Sequence, residues 1–363
     1  MFKLLEASRI KLLFLIISAL GFSGALLFIR LFLESKHLSY ALDYQSKIVF
    51  FSFLLQLGTR SYLRILIYNN RNERVSALKY YLYGFLVMIA ILDLSFANET
   101  SNLLYGSVLV ATSLELTVSV AKGKLWMVAF WSFVNFLFCF GSVIYIVLAN
   151  NDSFLELSAL VFLITIFLMN IYEAKERLSI KTVFYDFCSS ISYMLGSSIT
   201  YISPFVLIQG LLSFDLNETQ ILFLTDAQVA AGVFSLILTK LLLLYEKRFY
   251  ETNLVFKSYC IYLLLLIMLI SISSVLGILF YGNDILYYIC VSLILFGKNI
   301  YGFLNQYANR KLVLNLLFVS CIGFYLYLWV EKNEFFLLKT ITPALICILV
   351  GFKVLKNENK AFE

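Results

Sequence analysis

Apolar residues run through this chain in blocks of about twenty, separated by short polar segments that carry most of its charge. As a helix, such a block is ~30 Å long, the thickness of a bilayer core. Twelve blocks stand out, at roughly 10–33, 46–68, 78–97, 103–121, 125–149, 155–172, 189–212, 221–244, 258–281, 285–305, 312–330 and 336–353. They predict an all-α polytopic membrane protein of about twelve spans. Basic residues give the orientation. Nineteen lie on one set of termini and alternate loops, Lys3, Arg9, Lys79, Lys124, Arg177, Lys181 and Arg310 among them; only Lys36, Lys47, Lys332 and Lys339 lie on the other. By the positive-inside rule both termini are cytoplasmic. The longest outer loop is expected at 34–45.

Composition narrows the class further. Of 363 residues, 61% are hydrophobic and 14% charged, and mean hydropathy is +0.89. No polar segment exceeds about fifteen residues, which leaves no room for a soluble domain. The first span reads as retained rather than as a cleaved leader, because no small-residue cleavage site follows it. The six cysteines fall in or beside apolar runs and read as small hydrophobes. His37 is the single histidine, which argues against a histidine-based metal or catalytic site. The net charge of +6 is assigned to the cytoplasmic face, where anionic lipid attracts it, and gives no support to a nucleic-acid partner.

Charges inside the spans are the candidate chemistry, because a buried charge in a membrane is expensive. Five basic residues lie there: Arg30, Arg60, Arg64, Lys240 and Lys298. The second span, IVFFSFLLQLGTRSYLRILIY, places Gln56, Arg60 and Arg64 four residues apart on one helical face. Arg64 is close enough to the span's end to snorkel to the headgroups, whereas Arg60 lies about 12 Å in and is expected to face a water-filled interior. Lys298 opens a polar face that includes Asn305. Arg30, Arg60, Lys240, Lys298, Gln56 and Asn305 are therefore the candidate substrate-binding residues of a cavity. Glu115, in the polar stretch ATSLELTVS, reads either as an ion-coupling carboxylate or as the partner of a neighbouring Arg; Asp93 and Asp226 are the other coupling candidates. No catalytic or metal-ligating set emerges.

The chain also looks doubled. A shift of 180 residues sets Ser18, Ser23 and Gly24 on Ser198, Ser203 and Pro204, and Thr59-Arg60 on Thr239-Lys240. Two six-helix bundles, 1–180 and 181–363, are expected around a central cavity, as in transporters built from repeats. Gly24, Gly196 and Pro204 are the candidate hinges.

The runs LGFSGALLFIRLFLESKHLSYAL and FFSFLLQLGTRSYLRIL resemble the opening of the polysaccharide flippases of the multidrug/oligosaccharidyl-lipid/polysaccharide exporter superfamily. TDAQVAAGVFSLILTKL and VLGILFYGNDILYYICVSLILFGKNIYGFLNQY resemble that family's span 8 and its spans 9 to 10. The resemblance implies a flippase of the bacterial inner membrane, not an enzyme. Its substrate would be an undecaprenyl-diphosphate-linked oligosaccharide, an O-antigen or capsule repeat unit, moved by alternating access. Membrane lipids, a polysaccharide polymerase and a chain-length regulator would be partners. A net basic cavity suits a diphosphate, and hydroxyls and aromatic faces suit sugars. No cofactor is expected: the chain has no GxxxxGK[ST] phosphate loop, so it does not bind ATP in that manner. Two alternatives stand beside this reading, a membrane polysaccharide polymerase or lipid-sugar glycosyltransferase, and a drug/cation antiporter of the same superfamily.

Overall fold

The computed structural model describes residues 2–96, 101–149, 153–173, 180–191, 193–214, 217–230, 232, 255–281, 304, 312–331 and 336–362. Among the described residues every regular element is a helix: α1 Phe2–Phe32, α2 Ser35–Gln56, α3 Thr59–Tyr68, α4 Asn72–Phe96, α5 Asn102–Ala121, α6 Leu125–Ala149, α7 Ser153–Glu173, α8 Ile180–Ile191, α9 Met194–Leu212, α10 Val255–Tyr281, α11 Leu312–Val330 and α12 Phe336–Phe362. Residues 218–230 form a further helix, opened by reciprocal bonds between Asn217 and Gln220, backbone N–H to side-chain oxygen in each direction. Stretches of α1, α4, α5, α6, α7 and α11 are long and apolar enough to cross a bilayer. The protein is an all-α, multi-pass membrane protein. Apolar periodicity located α5, α6 and α11 to within a residue; of the span expected at 285–305 only Leu304 is among the described residues.

Two expected spans are each broken in two. The stretch 46–68 is not one helix: α2 ends at Gln56, Leu57 and Gly58 turn left-handed (φ 49° and 72°), and α3 begins at Thr59. The expected outer loop 34–45 is also corrected, since helix α2 starts at Ser35. Leu38, Ala41 and Leu42 are fully buried and form the one-sided apolar stripe that makes a helix of a segment whose charges suggested a loop. The stretch 189–212 likewise divides into α8 and α9. Asn72 opens α4 six residues before the expected start at 78, so Lys79 lies about two turns into the helix and not at its cytoplasmic edge.

The chain forms two compact units, Met1–Ala25 with Tyr44–Met194, and Leu26–Asp43 with Leu195–Glu363. They differ from the expected halves, 1–180 and 181–363, for identifiable reasons. Helix α8 joins the first unit because Val183, Asp186 and Ser190 bury one side of it on α3 and α4. Residues 26–43 join the second because Arg30 and Asp43 bond to Asp226 and Gln209.

Helix α5 is the centre of the first unit, packed by α3, α4, α6 and α7. Eighty-three per cent of its spanning window is buried. In the second unit α12 packs on α10 and α11, with Tyr259 Oη donating to the Ile348 carbonyl and Tyr325 Oη to that of Thr340. Cys139, Cys321 and Cys347 are buried and unbridged, Cys188 is exposed and Cys260 half-buried.

Candidate functional site

The polarity that marked ATSLELTVS in the sequence is turned inward along α5. Three hydrogen-bonded groups line the helix. Thr112 donates to Asn135 Oδ1 on α6 (3.0 Å), and Asn135 Nδ2 donates to Ser18 Oγ on α1 (2.8 Å). One turn on, Glu115 Oε1 receives Lys79 Nζ at 2.7 Å, Tyr83 Oη at 2.9 Å and Asn170 Nδ2 at 3.3 Å. Its side chain is 11% exposed and that of Lys79 5%. Glu115 is thus a charge partner, but of Lys79 and not of Arg60, which corrects the pairing suggested by the second span. Lys79 and Tyr83 lie one turn apart on α4, so both reach the same carboxylate oxygen. Half a turn further along α5, Thr117 Oγ1 accepts from Arg60 Nε at 2.9 Å.

Arg60 is held at that place by the break in the preceding helix. A Cβ on Gly58 would lie 2.2 Å from the Ser190 carbonyl oxygen, so α8 passes against bare backbone there. Ser190 Oγ donates to the Leu57 carbonyl (2.9 Å), and Thr59 Oγ1 to that of Gln56 (2.5 Å). Carbonyls orphaned by the break are thereby satisfied. Gln56 belongs to α2 and does not share the face of Arg60 and Arg64, which stay one turn apart on α3. Arg64 Nη2 donates to Ser61 Oγ (3.3 Å). One turn earlier on the same side of α8, Asp186 (1% exposed) takes a fork from Arg74, Nε to Oδ2 at 3.0 Å with Nη2 on Oδ1, and the Tyr62 hydroxyl at 2.7 Å. Sequence reasoning missed this cluster. The signal available was a lone acid in the apolar run TVFYDFCSSI.

The remaining candidates are dispersed. Asp93 accepts the Leu104 N–H (2.9 Å) and so caps the start of α5. In the second unit Arg30 grips Asp226 bidentately, Nε–Oδ1 2.5 Å and Nη2–Oδ2 3.0 Å, each side chain 29% exposed. Gln209 Nε2 donates to Asp43 at 2.8 Å. Lys240, Lys298 and Asn305 lie outside the described residues. Gly24 sits in an unbroken α1 with the Phe140 ring 3.7 Å from where its Cβ would be; α9 runs through Gly196 and Pro204. Ser18, Ser23, Ser198 and Ser203, matched by the doubling, are all buried. Given its partial exposure, loss of the Arg30–Asp226 pair should cost only about 1 kcal/mol. Arg30→Ala and Asp226→Asn should lower the melting temperature of the purified protein slightly, with no further loss in the double variant. Additive losses would show that the two side chains act separately.

No protein-family model and no curated protein matches the sequence. Two solved structures are similar along nearly the whole chain. One, described as the outward-facing conformation of a multidrug resistance MATE family transporter of the MOP superfamily, is 13% identical with TM-score 0.49, covering 98% of this chain and 96% of its own. The other, a MOP superfamily transporter from Pyrococcus furiosus whose description assigns it a binding pocket of reversed polarity, is 11% identical with TM-score 0.45 and the same coverage.

Proposed function

We propose that this chain is a polysaccharide flippase of the MOP superfamily, moving an undecaprenyl-diphosphate-linked oligosaccharide across the bacterial inner membrane by alternating access. The observation that carries the reading is the state of the interior charges. Glu115 is held by Lys79, Asp186 by Arg74 and Asp226 by Arg30. These three acids are neutralised within the fold rather than left to attract a cationic drug, while half-buried Arg60 donates to the neutral hydroxyl of Thr117. An arginine fork matches the geometry of a diphosphate. Against the enzyme alternative, the expected outer loop is the first turns of α2, with only Leu33 and Glu34 between helices.

Gly24 and Gly196 support the transport cycle. The chain passes from one compact unit to the other at 25/26, 43/44 and 194/195, and each glycine lies within two residues of a crossing. Bending there moves whole helices with little local cost.

Complementation of a flippase-null strain, scored for surface glycan at matched protein levels, tests the reading. Arg60→Ala should lose most export, since a charge-assisted contact is worth about 1.5–3 kcal/mol, roughly ten- to a hundredfold in affinity. Arg60→Lys should retain part of it, and Arg64→Ala most of it. Normal export by Arg60→Ala would remove Arg60 from the binding site, whereas energy-dependent efflux of a cationic dye by the wild type, with no glycan export, would transfer the assignment to the antiporter alternative.

A further inference from the structure

Helix α8 is amphipathic the wrong way round for water. Its polar side chains Asp186 and Ser190 are buried, 1% and 0% exposed. Its outward stripe, Lys181, Phe184, Tyr185, Cys188 and Ile191, follows helical spacing, with Phe184 69%, Tyr185 66% and Ile191 49% exposed. At twelve residues the helix spans about 18 Å, too short to cross a bilayer. A helix with aromatic and aliphatic side chains outward and a lysine at its start belongs at a headgroup boundary.

We propose that α8 lies in the plane of the membrane, its outward stripe seated on the anionic lipid of the leaflet that faces the basic loops, and that its buried polar side holds the α2–α3 break in place. Charge complementarity selects the occupant. Lys181 heads the stripe, and residues 173–181 carry Lys175, Arg177 and Lys181 against Glu173 and Glu176, a net charge of +1, so anionic headgroups are favoured near that end. The preceding helix, α7, likewise turns apolar side chains outward, Leu168, Met169 and Ile171 among them. Inward, Ser190 bonds the Leu57 carbonyl, while Asp186 ties Arg74 to Tyr62 on α3. Arg60 is two residues past Gly58, so leaflet contact and Arg60 placement are joined by a short, hydrogen-bonded path.

The test uses full-length protein in nanodiscs of phosphatidylcholine, with and without phosphatidylglycerol. Spin labels are placed singly at 181, 184, 185, 188 and 191 on a cysteine-free background. Labels at 184, 185, 188 and 191 should be several-fold more accessible to oxygen than to a water-soluble nickel chelate, and 181 the reverse. The unlabelled wild type supplies a second readout by hydrogen exchange. Phosphatidylglycerol should slow exchange in both 180–191 and 57–64, and Phe184→Ser with Tyr185→Ser should remove that slowing in both. Asp186→Asn should remove it in 57–64 alone. Nickel access at 184 and 185 equal to that at 181, or spin–spin broadening from a second copy, would overturn the seating on lipid. Exchange indifferent to lipid charge would overturn the headgroup choice, and a change confined to 180–191 the link to the break. None of these readouts depends on what is transported.

Discussion

Lys79→Met is expected to be among the most destabilising single changes in the first unit. It leaves Glu115 charged and buried, with only Tyr83 and Asn170 to hold it. Removing one partner of a buried pair costs about 3–5 kcal/mol, most of it the desolvation of the group left behind. Glu115→Gln should cost a similar amount for the mirror reason, because Lys79 then loses the carboxylate 2.7 Å from its ammonium. The double variant Lys79→Met with Glu115→Gln should recover most of the loss, since neither charge remains and the amide can still accept from Tyr83. Thermal melting of detergent-purified protein gives the double-mutant cycle directly. Additive losses would mean the pair is not the unit of stability. Measured alongside export, the cycle also separates the two roles open to Glu115. A stable double variant that exports normally makes the pair purely structural. One that folds but no longer exports makes Glu115 the coupling carboxylate, exchanging Lys79 for a transported ion.

Gly58→Ala should be nearly as damaging, by a different route. The residue sits at φ 72°, where a side chain is strained, and its Cβ would lie 2.2 Å from the Ser190 carbonyl oxygen and 2.9 Å from the Met194 nitrogen. The backbone conformation alone costs about 1–3 kcal/mol for a residue other than glycine. Relieving the clash requires α8 or the start of α9 to move, because both close atoms are backbone. The Ser190–Leu57 bond would be lost in that movement. The expected result is a lower melting temperature together with faster exchange in 57–64 and 180–191. Gly24→Ala is the comparison: its Cβ would meet only the Phe140 ring at 3.7 Å, an ordinary contact, so stability should hold. An unchanged melting temperature for Gly58→Ala would show that the break tolerates a side chain.

Helical make-up and membrane class were legible because they depend on one-dimensional quantities. Apolar blocks placed α5, α6 and α11 almost to the residue, and the isolated polarity of ATSLELTVS marked Glu115 as a coupling carboxylate or a charge partner before any contact was known. The ends of helices near loops were less legible. Lys36 and His37 resemble loop residues in sequence, yet Leu38, Ala41 and Leu42 bury the helix they begin. Lys79 was expected at the cytoplasmic edge of a span; its carboxylate partner lies on another helix, thirty-six residues away in the chain.

What the sequence determined by itself, then, is that this is a many-spanned, all-helical membrane protein with charges buried in several spans. Hydrophobic length and charge asymmetry act on each segment independently, so they can be read from the segment alone. Tertiary structure decided which charges neutralise one another and where helices break. Gln56, Arg60 and Arg64 fit one face of a continuous helix, and nothing within 46–68 forbids it. The break exists because a carbonyl of α8, more than a hundred residues later, passes where a side chain at position 58 would be. Pairing and close approach are properties of two segments at once, and only the fold brings those segments together.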